Sequence, residues 1–123
     1  SNSPPFETIW QAPGGGVTNL AAFGGVVTTI MLNSSVSGNT ANDAGTGGGG
    51  VTNFAVAGTD ATTGGILPSH AALTISNSTI SGNSASANGA GVYNTAVDPA
   101  DHALVTLRNV TVTDNYTTAN LRS

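Results

Sequence analysis

The side chains able to do acid–base chemistry are few. The acids are Glu7, Asp43, Asp60, Asp98, Asp101 and Asp114, and the bases are Arg108 and Arg122, with His70 and His102 as the two imidazoles. Cleaving a polysaccharide requires paired carboxylates within about 10 Å. An eliminating enzyme instead uses carboxylates holding Ca²⁺ beside a basic residue. Only Asp98 and Asp101 are close in sequence. No catalytic residue and no cofactor is expected. The chain has no cysteine, so it has neither a disulfide framework nor a thiolate metal site.

The histidines are the one suggestive pair. His70 stands three residues before Leu73, and His102 three before Val105. Leu73 and Val105 are equivalent positions of a repeat, so the imidazoles fall in one column, with Asp101 adjoining. Two imidazoles and a carboxylate suit Zn²⁺ or another transition metal. The equivalent residue in the first repeat is Val26, so the column is incomplete. The expectation is that each His ties its loop to the turn by a hydrogen bond, leaving His70, His102 and Asp101 as a secondary metal candidate.

Four asparagines, Asn33, Asn77, Asn109 and Asn115, begin N-x-[ST] triplets. They also fall on repeat columns, and all but Asn115 are expected to be buried corner residues rather than glycan acceptors.

The repeat is the organising feature. Thr29–Asn39 (TIMLNSSVSGN), Leu73–Asn83 (LTISNSTISGN) and Val105–Asn115 (VTLRNVTVTDN) align without gaps. Apolar columns read Met31/Ile75/Leu107 and Val36/Ile80/Val112. A shorter element recurs as GGGVTN, GGGVTN and GAGVYN, adding the column Val17/Val51/Val92. Asparagine fills three columns: Asn19/Asn53/Asn94, Asn33/Asn77/Asn109 and Asn39/Asn83/Asn115. Alternation of period two reads as strand, with Leu73 and Ile75 inward and Thr74 outward.

A strand of three to five residues cannot bury a face alone, but stacked on its copies it forms a ladder at about 4.8 Å spacing. Three such pieces per repeat predict an all-β, right-handed parallel β-helix of about three rungs with three short strands each. Asparagine suits the corners because it tolerates the left-handed conformation, and stacked amides bond along the ladder.

Residues 14–117 form this domain. Residues 1–13 match no repeat and read as an N-terminal cap or arm, with Phe6, Ile9 and Trp10 flanked by prolines. Residues 118–123 are a tail. The longest insertion, 54–72, leaves the same corner as 95–103, and insertions gathered on one face of a repeat protein mark a binding face. The corner segments Thr40–Gly47 and Ser84–Asn88 read as short polar loops.

Of 123 residues only 7% are charged, and the net charge is −4, which argues against nucleic acid. No stretch approaches the roughly 18 apolar residues of a membrane span. With no initiator Met and no signal peptide, the chain reads as a mature product or an excised piece.

The motifs Gly48–Val51 (GGGV) and Gly89–Val92 (GAGV), with Val36–Asn39 (VSGN), Ile80–Asn83 (ISGN) and Val112–Asn115 (VTDN), carry a resemblance. The chain resembles the right-handed parallel β-helix repeats of bacterial surface proteins, the polymorphic outer-membrane proteins and related adhesins with their GGAI and FxxN signatures. Val or Ile stands where that family has Phe. The resemblance implies a β-helix in a cell-surface or secreted setting, and no catalytic residue.

Three functions follow as expectations. The first is an extracellular structural protein whose partners are copies of itself, stacked head to tail through Phe6, Ile9, Trp10, Val105, Leu107 and Val110. The second is an adhesin or carbohydrate-binding module that meets surface glycans with its loops. The third is the remnant of a polysaccharide-degrading enzyme.

Overall fold

The computed structural model describes residues 15–42, 48–86 and 89–118. Their regular structure is entirely β. The first repeat holds β1 (Val17–Ala22), β2 (Val26–Leu32), β3 (Ser35–Ser37) and β4 (Thr40–Ala41). The second holds β5 (Val51–Val56), the short β6 (Gly58–Thr59) and β7 (Ile66–Leu67), then β8 (His70–Ser81) and β9 (Ser84–Ala85). The third holds β10 (Val92–Ala96), β11 (His102–Thr113) and β12 (Tyr116–Thr117).

Three parallel sheets result, each with the second repeat in the middle. They are β1-β5-β10, then β2 and β3 with β8 and β11, then β4-β9-β12. The register follows the sequence columns. Val17 faces Val51, which faces Val92; Met31 faces Ile75, which faces Leu107; Val36 faces Ile80, which faces Val112. The exception to parallel pairing is the hairpin of β6 and β7 inside the 54–72 insertion.

Two features depart from three short strands per repeat. In the second and third repeats the last two pieces run on as one 12-residue strand. They bend without breaking at Asn77 and Asn109, whose φ of 51° and 53° is left-handed, as is the 51° of Asn33 between β2 and β3. Each repeat also closes on a two-residue strand, β4, β9 or β12, where the sequence reads as loop. A two-residue strand has no alternation to detect and is defined only by its pairing.

The core is densest in the second repeat. Val51, Leu73, Ile75 and Ile80 are sealed with Val36, and Val17, Met31, Val92, Val105 and Val110 pack partly buried around them. Alanines fill the narrower places, with Ala21, Ala55 and Ala71 in one cluster and Ala41, Ala85 and Ala90 in another. Small side chains let the sheets approach where Leu or Ile would not fit.

Leu107 and Val112 correct the expectation of a uniform core. They share columns with fully buried Ile75 and Ile80, yet are 45% and 47% exposed. β11 lies at the edge of its sheet, so no further strand covers their far side. Phe54 is a second correction. It lies in β5 and not on a loop, and it is buried, as every β5 residue is on both faces.

Candidate functional site

The asparagine columns divide into two kinds. In the first kind the amides form ladders. The Asn19 Nδ2 donates to Asn53 Oδ1 at 2.6 Å, and Asn53 Nδ2 donates to Asn94 Oδ1 at 2.8 Å. Asn53 also donates to the backbone oxygens of Ala71 (2.9 Å) and Leu104 (3.2 Å). In the other ladder, Asn39 Nδ2 donates to Asn83 Oδ1 at 3.0 Å, and Asn83 Nδ2 to Asn115 Oδ1 at 2.9 Å. Asn53 and Asn83 are wholly buried.

These ladders have a direction. The backbone N–H groups of Asn39 and Asn83 also donate to Asn83 Oδ1 and Asn115 Oδ1. A backbone N–H can only donate, so it fixes which amide atom is oxygen. In the first ladder the carbonyl of Ala71 imposes the same choice on Asn53. Both ladders therefore run from nitrogen to oxygen in the direction of the third repeat. The third repeat ends on the amide nitrogens of Asn94 and Asn115, while the oxygens of Asn19 and Asn39 lie outside the ladder at the first.

The remaining column works through its backbone. Asn33, Asn77 and Asn109 are exposed, and their amides make one contact across repeats, Asn109 Nδ2 to Asn77 Oδ1 at 3.2 Å. Their left-handed φ is what the corner requires, because Asn adopts it at lower cost than most residues. The expected burial of this column is thus corrected. At the next corner the left-handed position belongs to Gly38, Gly82 and Asp114, one residue before the ladder asparagine.

A glycine column completes the site and was not legible as such in the sequence. A Cβ on Gly16 would lie 2.5 Å from the Gly50 carbonyl oxygen and 2.9 Å from Asn39 Nδ2. On Gly50 it would meet the Gly91 oxygen at 2.6 Å and Asn83 Nδ2 at 2.9 Å. On Gly91 it would meet Asn115 Nδ2 at 2.9 Å. The glycine before each repeat valine makes room for the corner amide of its own repeat, and Gly16 and Gly50 also make room for the backbone of the next. The signal was present as the recurring Gly-Val pairs, but its steric reason needs the stacking.

At the third repeat this construction ends among the described residues. The outer edges of β10, β11 and β12 have no strand partner among the described residues. A cavity of about 550 Å³ opens there, lined by Gly91, Val92, Leu107, Val112, Asn115 and Thr117. Of the residues expected to make assembly contacts, Leu107 lines this opening, whereas Val105 and Val110 are half-buried against the core. Phe6, Ile9 and Trp10 lie outside the described residues.

The loop corner is held by a different device. Asp101 is buried, with Oδ1 accepting from the Ser69 backbone N–H at 2.8 Å and Oδ2 from that of Asp98 at 3.0 Å. Ser69, also buried, donates from its hydroxyl to the Val56 oxygen and accepts from the Gly24 N–H. The clamp joins one loop from each repeat.

Burial pushes the Asp101 carboxyl up, but the N–H groups of Ser69, Asp98 and Ala57 and the nearby His70 outweigh it, so the net shift is downward. A carboxyl lowered on folding contributes stability that is present above its unfolded value near 3.9 and lost as pH falls through the lower folded value. Asp101→Asn is therefore expected to lower stability at pH 7 by about 1–3 kcal/mol, since an amide NH₂ would face a backbone donor. The gap to the native chain should narrow below about pH 4 in melting curves taken across the acid range.

His70 and His102 face each other across β8 and β11, with ring centroids 4.8 Å apart and planes 14° from parallel. Both are exposed, and no described residue hydrogen-bonds either ring. This corrects the expectation that each ties down its loop; Ser69 and Asp101 do so instead. Because Asp101 is turned into the clamp, the three expected ligands do not converge, and no group of three or more His, Cys, Asp or Glu among the described residues is placed to hold a metal. Arg108 is exposed on the same strand. No helix among the described residues is long and apolar enough to cross a membrane. Comparison with family models, with curated proteins and with solved structures returns no match, so the functional reading rests on this geometry.

Proposed function

We propose that the chain is an extracellular structural module, three rungs of a right-handed parallel β-helix that stacks head to tail on further copies of itself as a filament or surface-appendage subunit. The observation that carries this is the open end of the third repeat. Its half-exposed Leu107 and Val112 sit in the columns that Met31 and Val36 occupy in the first repeat. A second copy placed there continues the apolar columns in register. It also sets the oxygens of Asn19 and Asn39 against the amide nitrogens of Asn94 and Asn115. Head-to-head contact would oppose like ends of the ladders. A heterologous contact of this kind does not close and so propagates. Right-handedness is supported by the strong rule for parallel crossovers, and the surface setting by the resemblance of the repeat motifs.

The alternative of a glycan-binding module is weaker. It needs several aromatic side chains on the loops, and Phe54 is sealed in the β5 strand while Tyr93 is half-buried in β10, which leaves Phe23, exposed in the turn between β1 and β2, as the one exposed loop aromatic among the described residues.

Leu107→Lys tests the proposal, because the site is open enough for the lysine to reach water in a single copy but not in a stack. The native chain is expected to sediment as concentration-dependent assemblies, visible as filaments in negative stain, and Leu107→Lys as a monomer with an unchanged circular dichroism spectrum. A native chain that remains monomeric at high concentration, sedimenting as the variant does, rules the stacking out.

A further inference from the structure

We propose that His70 and His102 form a two-imidazole site for a divalent transition-metal ion of the Zn²⁺, Ni²⁺ and Cu²⁺ class. They are the chain's two histidines, and the parallel register sets them directly opposite one another on β8 and β11. Their rings are exposed, face to face and engaged by no hydrogen bond from a described residue. Neither ring is held by the fold, so both are free to turn toward a shared ion.

Shared coordination asks the rings to turn. With metal–nitrogen distances near 2.0–2.1 Å, two nitrogens on one tetrahedral ion stand roughly 3.3 Å apart. The rings are 4.8 Å apart. In the stack the in-plane lone pairs run side by side, so χ1 and χ2 must turn the rings out of the stack until one nitrogen of each points at a common ion, a change of rotamer open to exposed side chains. Imidazole selects this class of ion over Mg²⁺ and Ca²⁺, which prefer oxygen. Two protein ligands leave the other positions to water.

The surroundings favour a cation. Asp101 and Asp98 lie in the loop leading into His102. Arg108 is six residues along β11, roughly 20 Å away at strand rise, beyond the screening length in physiological salt. The first-repeat partner of His70 is Val26, so the ion binds across the second and third repeats only. A bound ion ties β11, the edge strand, to β8, and by linkage it stabilises the folded chain.

The test is titration of the full chain with Ni²⁺, Zn²⁺ and Mg²⁺, followed by calorimetry and by imidazole resonances in NMR, for the native chain and for His70→Gln and His102→Gln. Both histidines are exposed, and circular dichroism of the metal-free variants confirms their fold. Expected is one Ni²⁺ or Zn²⁺ per chain, with a dissociation constant on the order of micromolar, weakened about tenfold or more by either substitution. The melting temperature should rise with metal in the native chain and in neither variant. Absence of saturable Ni²⁺ or Zn²⁺ binding overturns the site. So does binding that survives either substitution, or Mg²⁺ binding of equal strength.

Discussion

Gly50→Ala is expected to destabilise the fold by about 3 kcal/mol or more, the upper range for overpacking. The added methyl would lie 2.6 Å from the Gly91 oxygen, 2.9 Å from Asn83 Nδ2 and 3.0 Å from the Ile80 side chain. The first of these is backbone in an adjacent repeat, the second a buried ladder amide and the third a wholly buried core residue. No flexible side-chain end is available to move aside. Gly65→Ala is the control, because its one close neighbour is the Thr63 hydroxyl at 3.3 Å, in an exposed turn. That change should fall within about 0.5 kcal/mol. Denaturant melts of the two variants decide the matter: equal stabilities would mean that the glycine column does not set the stacking.

Asn53→Ala is the second large effect. Asn53 is wholly buried and its Nδ2 serves Asn94 and the carbonyls of Ala71 and Leu104, while its oxygen receives Asn19. Truncation leaves several buried polar groups unsatisfied, at about 1–3 kcal/mol each before relaxation, so a loss of about 3 kcal/mol is expected. Asn53→Asp should be at least as harmful at neutral pH, because a carboxylate would face acceptors where the amide donated. Asn77 separates the two roles of asparagine. It is exposed and left-handed, so Asn77→Gly should be nearly neutral, whereas Asn77→Ala should cost about 1 kcal/mol for a left-handed alanine. If glycine were tolerated equally at positions 53 and 77 in thermal melts, the buried ladder would contribute nothing.

Much of this arrangement was legible in the chain. The columns of Val17, Met31 and Val36 with their copies give the register residue by residue, because strand pairing between repeats obeys the same alternation that the sequence displays. The division of labour among asparagines was not. Asn33 and Asn39 look alike in the repeat, and only the φ values and the backbone donors show that one shapes the chain while the other bonds along the stack. Leu107 and Ile75 likewise have equivalent local sequence. Their burial differs because it depends on whether a further strand lies alongside, which no local pattern records. The Asp101–Ser69–Gly24 clamp joins loops of unequal length from three repeats, so it follows no period at all. The histidine column was legible, but not the inward turn of Asp101 that leaves the rings to each other.

The parallel pairing also bears on how the chain finds this structure. Val17 pairs with Val51, Val51 with Val92, Met31 with Ile75 and Ile75 with Leu107, so each parallel contact joins residues more than thirty positions apart. Loop-closure entropy must be lost before any of these contacts returns stability, which places the fold among slow, non-local topologies. The hairpin between β6 and β7 is the exception, since Thr59 and Ile66 meet across a short turn. It lies inside the central repeat, next to Ser69, on which the clamp converges. The insertion that interrupts the repeat pattern is thus the one place among the described residues where strand pairing can begin locally, before the distant partners have met.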